Sequence, residues 1–184
     1  MIKNKEPLSM PEIQEYLDKK QENEAQLLAF IKKFVNYLLS SNIAEILIIV
    51  VALVIGLPLP LVAIQLLWLN LVTDGLPAVA LGVDPPERGI MKRKPRPLKE
   101  PIITKSLALN MLLVSLIITF STLIIFNHYL NNNLIKAQTM AFTSLVIFEL
   151  ARLLSIRAQY KLKFFSNKWL TLAILSSIIL QLVV

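Results

Sequence analysis

Three acidic residues of this sequence lie inside long apolar stretches, where a carboxylate is energetically costly. They are Glu45, Asp74 and Glu149, and each belongs to a different apolar stretch. A charged side chain at the centre of a bilayer costs about 2.5–3.5 kcal/mol on insertion scales, so it usually faces a polar interior and has a function. If the three side chains face one another, they form a negatively charged cluster that attracts cations.

Amide and hydroxyl side chains lie near these acids at helical spacing. Asn42 precedes Glu45 by one helical turn, and Asn70 precedes both Thr73 and Asp74 by one turn. Residues three or four apart lie on one face of a helix. Such an all-oxygen set suits a hard cation and not a soft one. The candidate metal ligands are Asn42, Glu45, Asn70, Thr73, Asp74 and Glu149.

The stretch "NLVTDGLPA" places a carboxylate beside two residues that weaken a helix, Gly75 and Pro77. Glycine adds backbone freedom, and proline removes a hydrogen-bond donor. The sequence therefore predicts that the helix is unwound near Asp74–Pro77. Irregular backbone at membrane depth is tolerated where it lines a cavity, and its free carbonyl groups can coordinate an ion.

Each candidate ligand also has a purely structural interpretation. Asn42 could hydrogen-bond a neighbouring helix, as amides do in membrane bundles. Thr73 could donate to its own backbone one turn earlier. Glu149 could pair with Arg152 near a membrane edge and bind nothing, since charges inside membranes often pair. The residues alone leave these alternatives open.

The composition indicates the elements that position these side chains. The chain is 55% hydrophobic, and its mean hydropathy of +0.64 is typical of integral membrane proteins. The absence of cysteine excludes disulfides and thiolate metal sites. We predict an all-α fold, a polytopic transmembrane bundle whose fifth span is marginal in length. The five predicted spans are 34–56, 59–82, 106–127, 136–157 and 168–184.

The basic residues predict how the bundle is oriented. Of 19 lysines and arginines, all but Lys136 fall on one side of the predicted topology. The positive-inside rule makes that side cytoplasmic. We therefore expect a multi-pass integral membrane protein with a cytoplasmic amino terminus and its carboxyl terminus on the opposite side.

The amino-terminal segment differs from the rest of the chain. Residues 1–30 are polar and lack the apolar core of a cleaved signal peptide. Ser9 and Glu12 have the spacing of a capping box. We predict a cytoplasmic helix or tail over 1–30 and a membrane domain over 31–184. Either one helix continues into the membrane or the tail is solvated and frayed.

Two stretches resemble the carboxy-terminal membrane region of P-type cation pumps. They are "YLLSSNIAEILIIV" and "LPLPLVAIQLLWLNLVTDGLPAVALGVDPPERGIMKRKPRPLKEPII". The sequence is most similar to calcium pumps of the sarco/endoplasmic-reticulum type and their prokaryotic relatives, from about Ile31 onward. The five spans would then correspond to the fifth to ninth of the family's ten. The loop from Asp84 to Ile103 would correspond to the cytoplasmic loop that touches the phosphorylation domain.

The resemblance implies a role for each candidate ligand. The first helix of this region carries a calcium-binding asparagine and glutamate, which match Asn42 and Glu45. The glutamate of the eighth family helix matches Glu149. The unwound helix carries three ligands, the last of which bridges two ions, and they match Asn70, Thr73 and Asp74. The similar sodium/potassium pumps have an aspartate at the position of Asn70, which favours Ca²⁺ here, with Mn²⁺ or another hard cation as alternatives.

The sequence also departs from the family. It contains no D-K-T-G-T phosphorylation sequence, no nucleotide-binding domain and no P-E-G-L-P helix. We therefore expect a truncated cation-binding and transport domain, without catalytic residues or an ATP site, that cannot drive transport alone. Its expected partners are the lipid bilayer and a separate chain carrying the catalytic domains, with no nucleic acid. The alternatives are a regulatory or structural protein that associates with a full-length pump, or a remnant of a disrupted gene.

Overall fold

The computed structural model of the chain describes residues 9–84, 101–160, 162 and 166–183, and over these residues it is helical without strands. The all-α membrane bundle is therefore confirmed. Residues 1–8 of the predicted tail lie outside the described residues. Residues 85–100, most of the predicted cytoplasmic loop from Asp84 to Ile103, lie outside them as well. The helices are α1 (Met10–Val54), α2 (Ala63–Trp68), α3 (Gly75–Ala80), α4 (Lys105–Leu130), α5 (Leu134–Gln159) and α6 (Lys168–Val183). A π-helical segment, Leu69–Asp74, joins α2 to α3, and a 3₁₀ turn, Leu81–Val83, follows α3.

Four helical stretches are long and apolar enough to cross a membrane by length and composition, and a fifth is shorter. The four are Met10–Val54, Ala63–Val83, Lys105–Leu130 and Leu134–Gln159. The 16 residues of α6 span about 24 Å at 1.5 Å per residue, less than the roughly 30 Å of hydrocarbon in a bilayer. The marginal length predicted for the last span is therefore found in the structure.

The first helix runs unbroken from the polar segment into the apolar bundle. It begins at a capping box, in which the backbone N–H and the hydroxyl of Ser9 donate to the Glu12 carboxylate at 2.8 and 2.7 Å. These hydrogen bonds lower the pKa of Glu12 because they stabilise its charged form. Of the two alternatives for the amino-terminal segment, the structure therefore has the helix that continues into the bundle. The division into two domains at residue 30 stays a prediction.

A tight turn reverses the chain after α1. Gly56 has a φ of 78°, which glycine adopts without steric cost. The amide of Leu57 donates to the carbonyl of Ala52 at 2.9 Å, and that of Gly56 donates to Leu53 at 3.2 Å. These two bonds form a Schellman motif. The turn therefore satisfies the last carbonyls of α1 at the membrane end and sends the next helix back alongside it.

Helix α4 lies close against α1 because small and hydroxyl side chains line their contact. Ser115 donates to the carbonyl of Ser40 at 2.7 Å, and Thr119 approaches the carbonyl of Ala44 at 3.4 Å. Small residues let helix backbones approach in membranes, and hydroxyl groups hydrogen-bond across the contact. The apolar core continues from this contact to α5, which packs against both α4 and α1.

A group of paired polar residues closes one end of the bundle, where α4 begins and α5 ends. We call this end of the bundle the basic end. Asp84 accepts a hydrogen bond from Asn167 at 2.8 Å, lies 3.2 Å from the Arg157 guanidinium and lies 3.8 Å from Lys33 Nζ. Its side chain is buried. These contacts attach the end of the α2–α3 segment to α1, to α5 and to the start of α6.

Candidate cation-binding site

The central feature of the site is the π-helical segment, Leu69–Asp74. Pro77 has no N–H, so the carbonyl of Thr73 loses the donor that an α-helix would supply. A Cβ atom on Gly75 would lie 3.3 Å from the carbonyl oxygen of Asn70, so glycine permits a close approach of the backbone. We predicted unwinding near Asp74–Pro77. The structure instead widens the helix just before this stretch, a form often found at functional sites.

Hydroxyl groups of two neighbouring helices approach the carbonyls of this segment, although each makes a shorter hydrogen bond elsewhere. The carbonyl of Val72 lies 3.4 Å from the Ser177 hydroxyl of α6, and that of Thr73 lies 3.4 Å from the Tyr37 hydroxyl of α1. Tyr37 makes a shorter hydrogen bond, 2.7 Å, to Asp74 Oδ1. Because a phenol has one proton, the short bond to Asp74 is its main contact. The end of the segment that carries Thr73 and Asp74 is therefore buried in protein, whereas Asn70 and Leu71 are exposed.

Three carboxylates meet beside the π-helical segment. One oxygen each of Glu45, Asp74 and Glu149 lies within 4.8 Å of the others. The residues are 5%, 0% and 0% exposed and come from α1, the π-helical segment and α5. Three like charges at this separation repel one another strongly away from water. The cluster therefore requires positive charge to be stable in its ionised form.

Several oxygens of this cluster have no hydrogen-bond partner within the described part of the chain. They are Glu45 Oε1, Asp74 Oδ2 and both oxygens of Glu149. Buried polar atoms are normally hydrogen-bonded, so four unpartnered acceptors in one place are unusual. Their separation and burial are those of ligands around a cation.

Asn70 connects the π-helical segment to α1. Its amide nitrogen donates to Glu45 Oε2 at 2.8 Å and to the carbonyl of Leu66 at 3.0 Å. Both bonds use the nitrogen, so neither occupies the amide oxygen, which is the atom that would bind a cation. Asn70 itself is exposed at the side of the bundle. The structure thus adds one amide to the three carboxylates.

The family profile described as "Cation transporting ATPase, C-terminus" matches residues 58–184. The chain belongs to this family. The predicted resemblance to the C-terminal membrane region of P-type calcium pumps is therefore confirmed.

Curated relatives show how much of a longer protein the match covers. Each of the following matches 84% of this chain. A "Calcium-transporting ATPase" of Bacillus subtilis is 46% identical over 160 residues, which are 18% of its length. A human "Calcium-transporting ATPase type 2C member 1" is 41% identical over 160 residues, 17% of its length. A "Calcium-transporting ATPase 1" of Schizosaccharomyces pombe is 35% identical over 160 residues, 18% of its length. The chain thus spans less than a fifth of these relatives.

Two of the predicted ligands are less closely connected to the cluster in this family member. The amide nitrogen of Asn42 donates to the carbonyl of Leu38 on its own helix at 2.8 Å, not to a neighbouring helix. Thr73 is buried beside Asp74, and no hydrogen bond of its hydroxyl is found among the described residues. The structure therefore brings together Glu45, Asp74, Glu149 and Asn70, with Thr73 adjacent and Asn42 bonded elsewhere.

Arg152 does not pair with Glu149, although the sequence allowed it. Its guanidinium donates to the side-chain oxygens of Asn36 and Asn110 at 2.9 Å each and approaches the Ser40 hydroxyl at 3.5 Å. Arg152 therefore bridges α5, α1 and α4. Glu149 keeps both carboxylate oxygens without a partner in the described structure.

Two residues of the site were missed by the sequence analysis, Tyr37 and Ser41. Both are buried on the face of α1 that carries Glu45, and the Ser41 hydroxyl has no partner among the described residues. The three positions are spaced by four residues, as expected on one helix face. That spacing was a usable signal, but neither side chain is charged, so only the fold shows that both face Asp74.

Proposed function

We propose that this chain binds a hard divalent cation, Ca²⁺ in the first place, as the cation-binding part of an ATP-driven membrane transporter. One observation carries the proposal: buried carboxylates from three helices meet within 4.8 Å, and four of their oxygens have no hydrogen-bond partner in the described chain. A buried charge cluster of this kind is stable only when something neutralises it.

The chemistry of the donors supports calcium. All are oxygen atoms, which hard cations prefer over nitrogen or sulfur ligands. Calcium accepts six to eight oxygens in flexible geometry, whereas magnesium demands a near-ideal octahedron and retains water. Oxygen donors from α1, from α5 and from the π-helical segment between α2 and α3 suit the more flexible ion. The names of the relatives, calcium-transporting ATPases, favour the same ion.

We assign the charged part of the coordination to Glu45, Asp74 and Glu149. The amide oxygen of Asn70 would add a neutral ligand next to Glu45, and Thr73 would add an oxygen beside Asp74. Asn42 would join them once its amide leaves the Leu38 carbonyl, to which it is bonded in this structure. Ion binding would then require a small rearrangement of α1.

We propose that this chain binds the ion but does not by itself couple binding to ATP hydrolysis. Phosphoryl transfer needs a positioned acceptor and bound metal near the nucleotide, and the 184 residues contain no D-K-T-G-T sequence. A separate chain or a full-length pump would supply that chemistry. The exposed amide of Asn70 supports such a partner, because a polar group at membrane depth is stabilised by a covering helix.

The experiment is calorimetric titration of Ca²⁺ into the full chain in detergent, with Mn²⁺ and Mg²⁺ as competitors. We expect saturable Ca²⁺ binding, weakened more than about tenfold in Glu149→Gln and Asp74→Asn, because each variant removes a charged ligand. The exposed variant Asp18→Asn is the control for a lost carboxylate. Unchanged binding in both cluster variants would contradict the proposal.

A second hypothesis is a regulatory or structural protein that associates with a full-length pump and keeps the carboxylates without using them. The exposed Asn70 fits a helix partner here as well. Co-purification of a full-length pump with the tagged chain, together with no Ca²⁺ binding by the chain, would support this second function over the first.

A further inference from the structure

A polar cavity of about 340 Å³ lies at the basic end, away from the carboxylate cluster. Its polar walls come from Lys32 of α1, from Thr104, Ser106 and Asn110 at the start of α4, and from Gln159 at the end of α5. This volume is within the range of small-ligand sites. The cavity has no role in the proposed cation site, so its chemistry requires a separate explanation.

One cation lines this cavity and a second is hydrogen-bonded to one of its wall residues, and neither has an acidic partner in the described structure. Lys32 lines the cavity and is half-buried, and it has no ion pair among the described residues. Arg152 lies behind Asn110, which lines the cavity and accepts its hydrogen bond at 2.9 Å. Arg152 is 4% exposed. Its described partners are all neutral oxygens, although a buried charge is normally balanced by an opposite one.

Two neighbouring basic residues at the same end of the bundle do have an acidic partner. Lys33 and Arg157 both approach the buried carboxylate of Asp84, at 3.8 and 3.2 Å. The chain thus gives Lys33 and Arg157 a shared carboxylate partner, whereas Lys32 and Arg152 have no acidic partner in the described structure. The charge and polarity of the cavity therefore favour an anionic ligand.

The remaining walls can donate hydrogen bonds to such an anion. Thr104 Oγ1 accepts from the amide of Leu107 at 3.3 Å, which leaves its hydroxyl proton for another acceptor. Ser106 adds a second hydroxyl, and Gln159 adds an amide. No carboxylate of the described residues lines the cavity. A lysine with several neutral donors suits a group with several acceptor oxygens, as a phosphate has.

We propose that this cavity binds a phosphate group, and that the group belongs to the head of an anionic phospholipid. Exposed apolar side chains continue from the cavity along the outside of the bundle: Ile102 lies at its wall, and Leu109 and Leu113 follow one turn apart on α4. An acyl chain could lie on this surface while the head group enters the cavity. Basic residues at a membrane surface attract anionic lipids.

The test uses the full chain in detergent and counts bound lipid by native mass spectrometry. The probes are dioctanoyl phosphatidylglycerol, which is anionic, dioctanoyl phosphatidylcholine, which has no net charge, and inorganic phosphate. We expect a bound phosphatidylglycerol that phosphatidylcholine does not displace at equal concentration. Lys32→Gln should weaken its binding about fivefold, the contribution typical of one basic residue near a membrane surface. Lys168→Gln, an exposed lysine at the same end, is the matched control and should change it less than about twofold.

A second variant keeps the test decisive if Lys32→Gln folds poorly. Ser106→Glu adds a negative charge at an exposed position in the first turn of α4, where helices tolerate acidic residues, and it should abolish phosphatidylglycerol binding. Equal binding of both lipids, or no effect of either variant, would overturn the proposal. Binding of inorganic phosphate as strongly as of the lipid would assign the phosphate site to a soluble ligand and overturn the lipid assignment. Ca²⁺ titration of the same variants separates this result from that of the cation site.

Discussion

Asp74 and Asp84 are ten residues apart and both side chains are buried, but their surroundings are opposite. Asp84 lies against Lys33, Arg157 and Asn167. Asp74 accepts from the Tyr37 hydroxyl and lies against two further carboxylates. Both side chains are therefore buried, but in the described structure only Asp84 has basic side chains beside it. A buried acid with internal cations stabilises the fold, whereas we propose that the one without them is balanced by a bound cation.

The largest expected effect is the loss of the compensated acid. Asp84→Asn should lower the free energy of unfolding by about 3–5 kcal/mol, because it removes the carboxylate that the buried side chains of Lys33 and Arg157 approach. Asp74→Asn in calcium-free buffer should cost far less, since it also removes repulsion from Glu45 and Glu149. Unfolding by denaturing detergent, followed by circular dichroism, measures both variants. A greater loss in Asp74→Asn than in Asp84→Asn would break the comparison.

The second effect is stabilisation by the ion. A ligand that binds only the folded state at 100 times its dissociation constant adds about 2.7 kcal/mol to the free energy of unfolding. We expect Ca²⁺ to stabilise the wild-type chain by this amount. Glu45→Gln should lose most of the gain, and Asp18→Asn on the exposed part of α1 should keep it. Calcium-dependent thermal unfolding provides the measurement, and an equal gain in both variants would contradict the assignment.

The third effect concerns the backbone of the π-helical segment. Gly75→Ala places a Cβ atom 3.3 Å from the Asn70 carbonyl oxygen, so it should cost about 1–3 kcal/mol of stability, the usual cost of overpacking. It should also weaken Ca²⁺ binding. The matched control is Gly82→Ala, whose Cβ would meet only the Phe30 ring at 3.5 Å. Similar Ca²⁺ affinities for the two variants would show that the segment's shape is unimportant.

The smallest effect concerns an acid outside the bundle. Hydrogen bonds from Ser9 lower the pKa of Glu12 below its ordinary value, so the capping contribution is present above the ordinary pKa and is lost as the pH falls through the lowered pKa. Ser9→Ala should increase amide hydrogen exchange in the first turns of α1 at pH 7. At pH 3 the two proteins should differ less. A variant effect that grows on acidification would contradict this sign.

Much of the architecture could be predicted because it depends on local composition. The spans follow from apolar length, and the capping box follows from the spacing of Ser9 and Glu12. The π-helical form of residues 69–74 was not predicted, since glycine and proline signal a weak helix without specifying whether it unwinds or widens. Only the tertiary structure shows the widened form and the hydroxyls of Tyr37 and Ser177 that approach its carbonyls from α1 and α6.

The candidate site could likewise be predicted only as far as it depends on residue types and on spacing within one helix. The types and helical spacing of Glu45, Asp74 and Glu149 were readable because charges inside apolar segments are rare. Whether Glu149 faced them or paired with Arg152 could not be decided along α5 alone, because both side chains lie within one turn. Contacts with Asn36 and Asn110 decide it by holding the guanidinium away.

By itself, the sequence determined that this chain forms apolar membrane helices, that three of them carry a carboxylate, and that one is weakened beside its carboxylate. These properties depend on residue type and on spacing within a helix. The tertiary structure alone decided which buried charges have a partner of opposite charge among the described residues and which do not. The physical reason is that compensation depends on distances of a few ångströms between side chains of different helices, and spacing along the chain does not specify them.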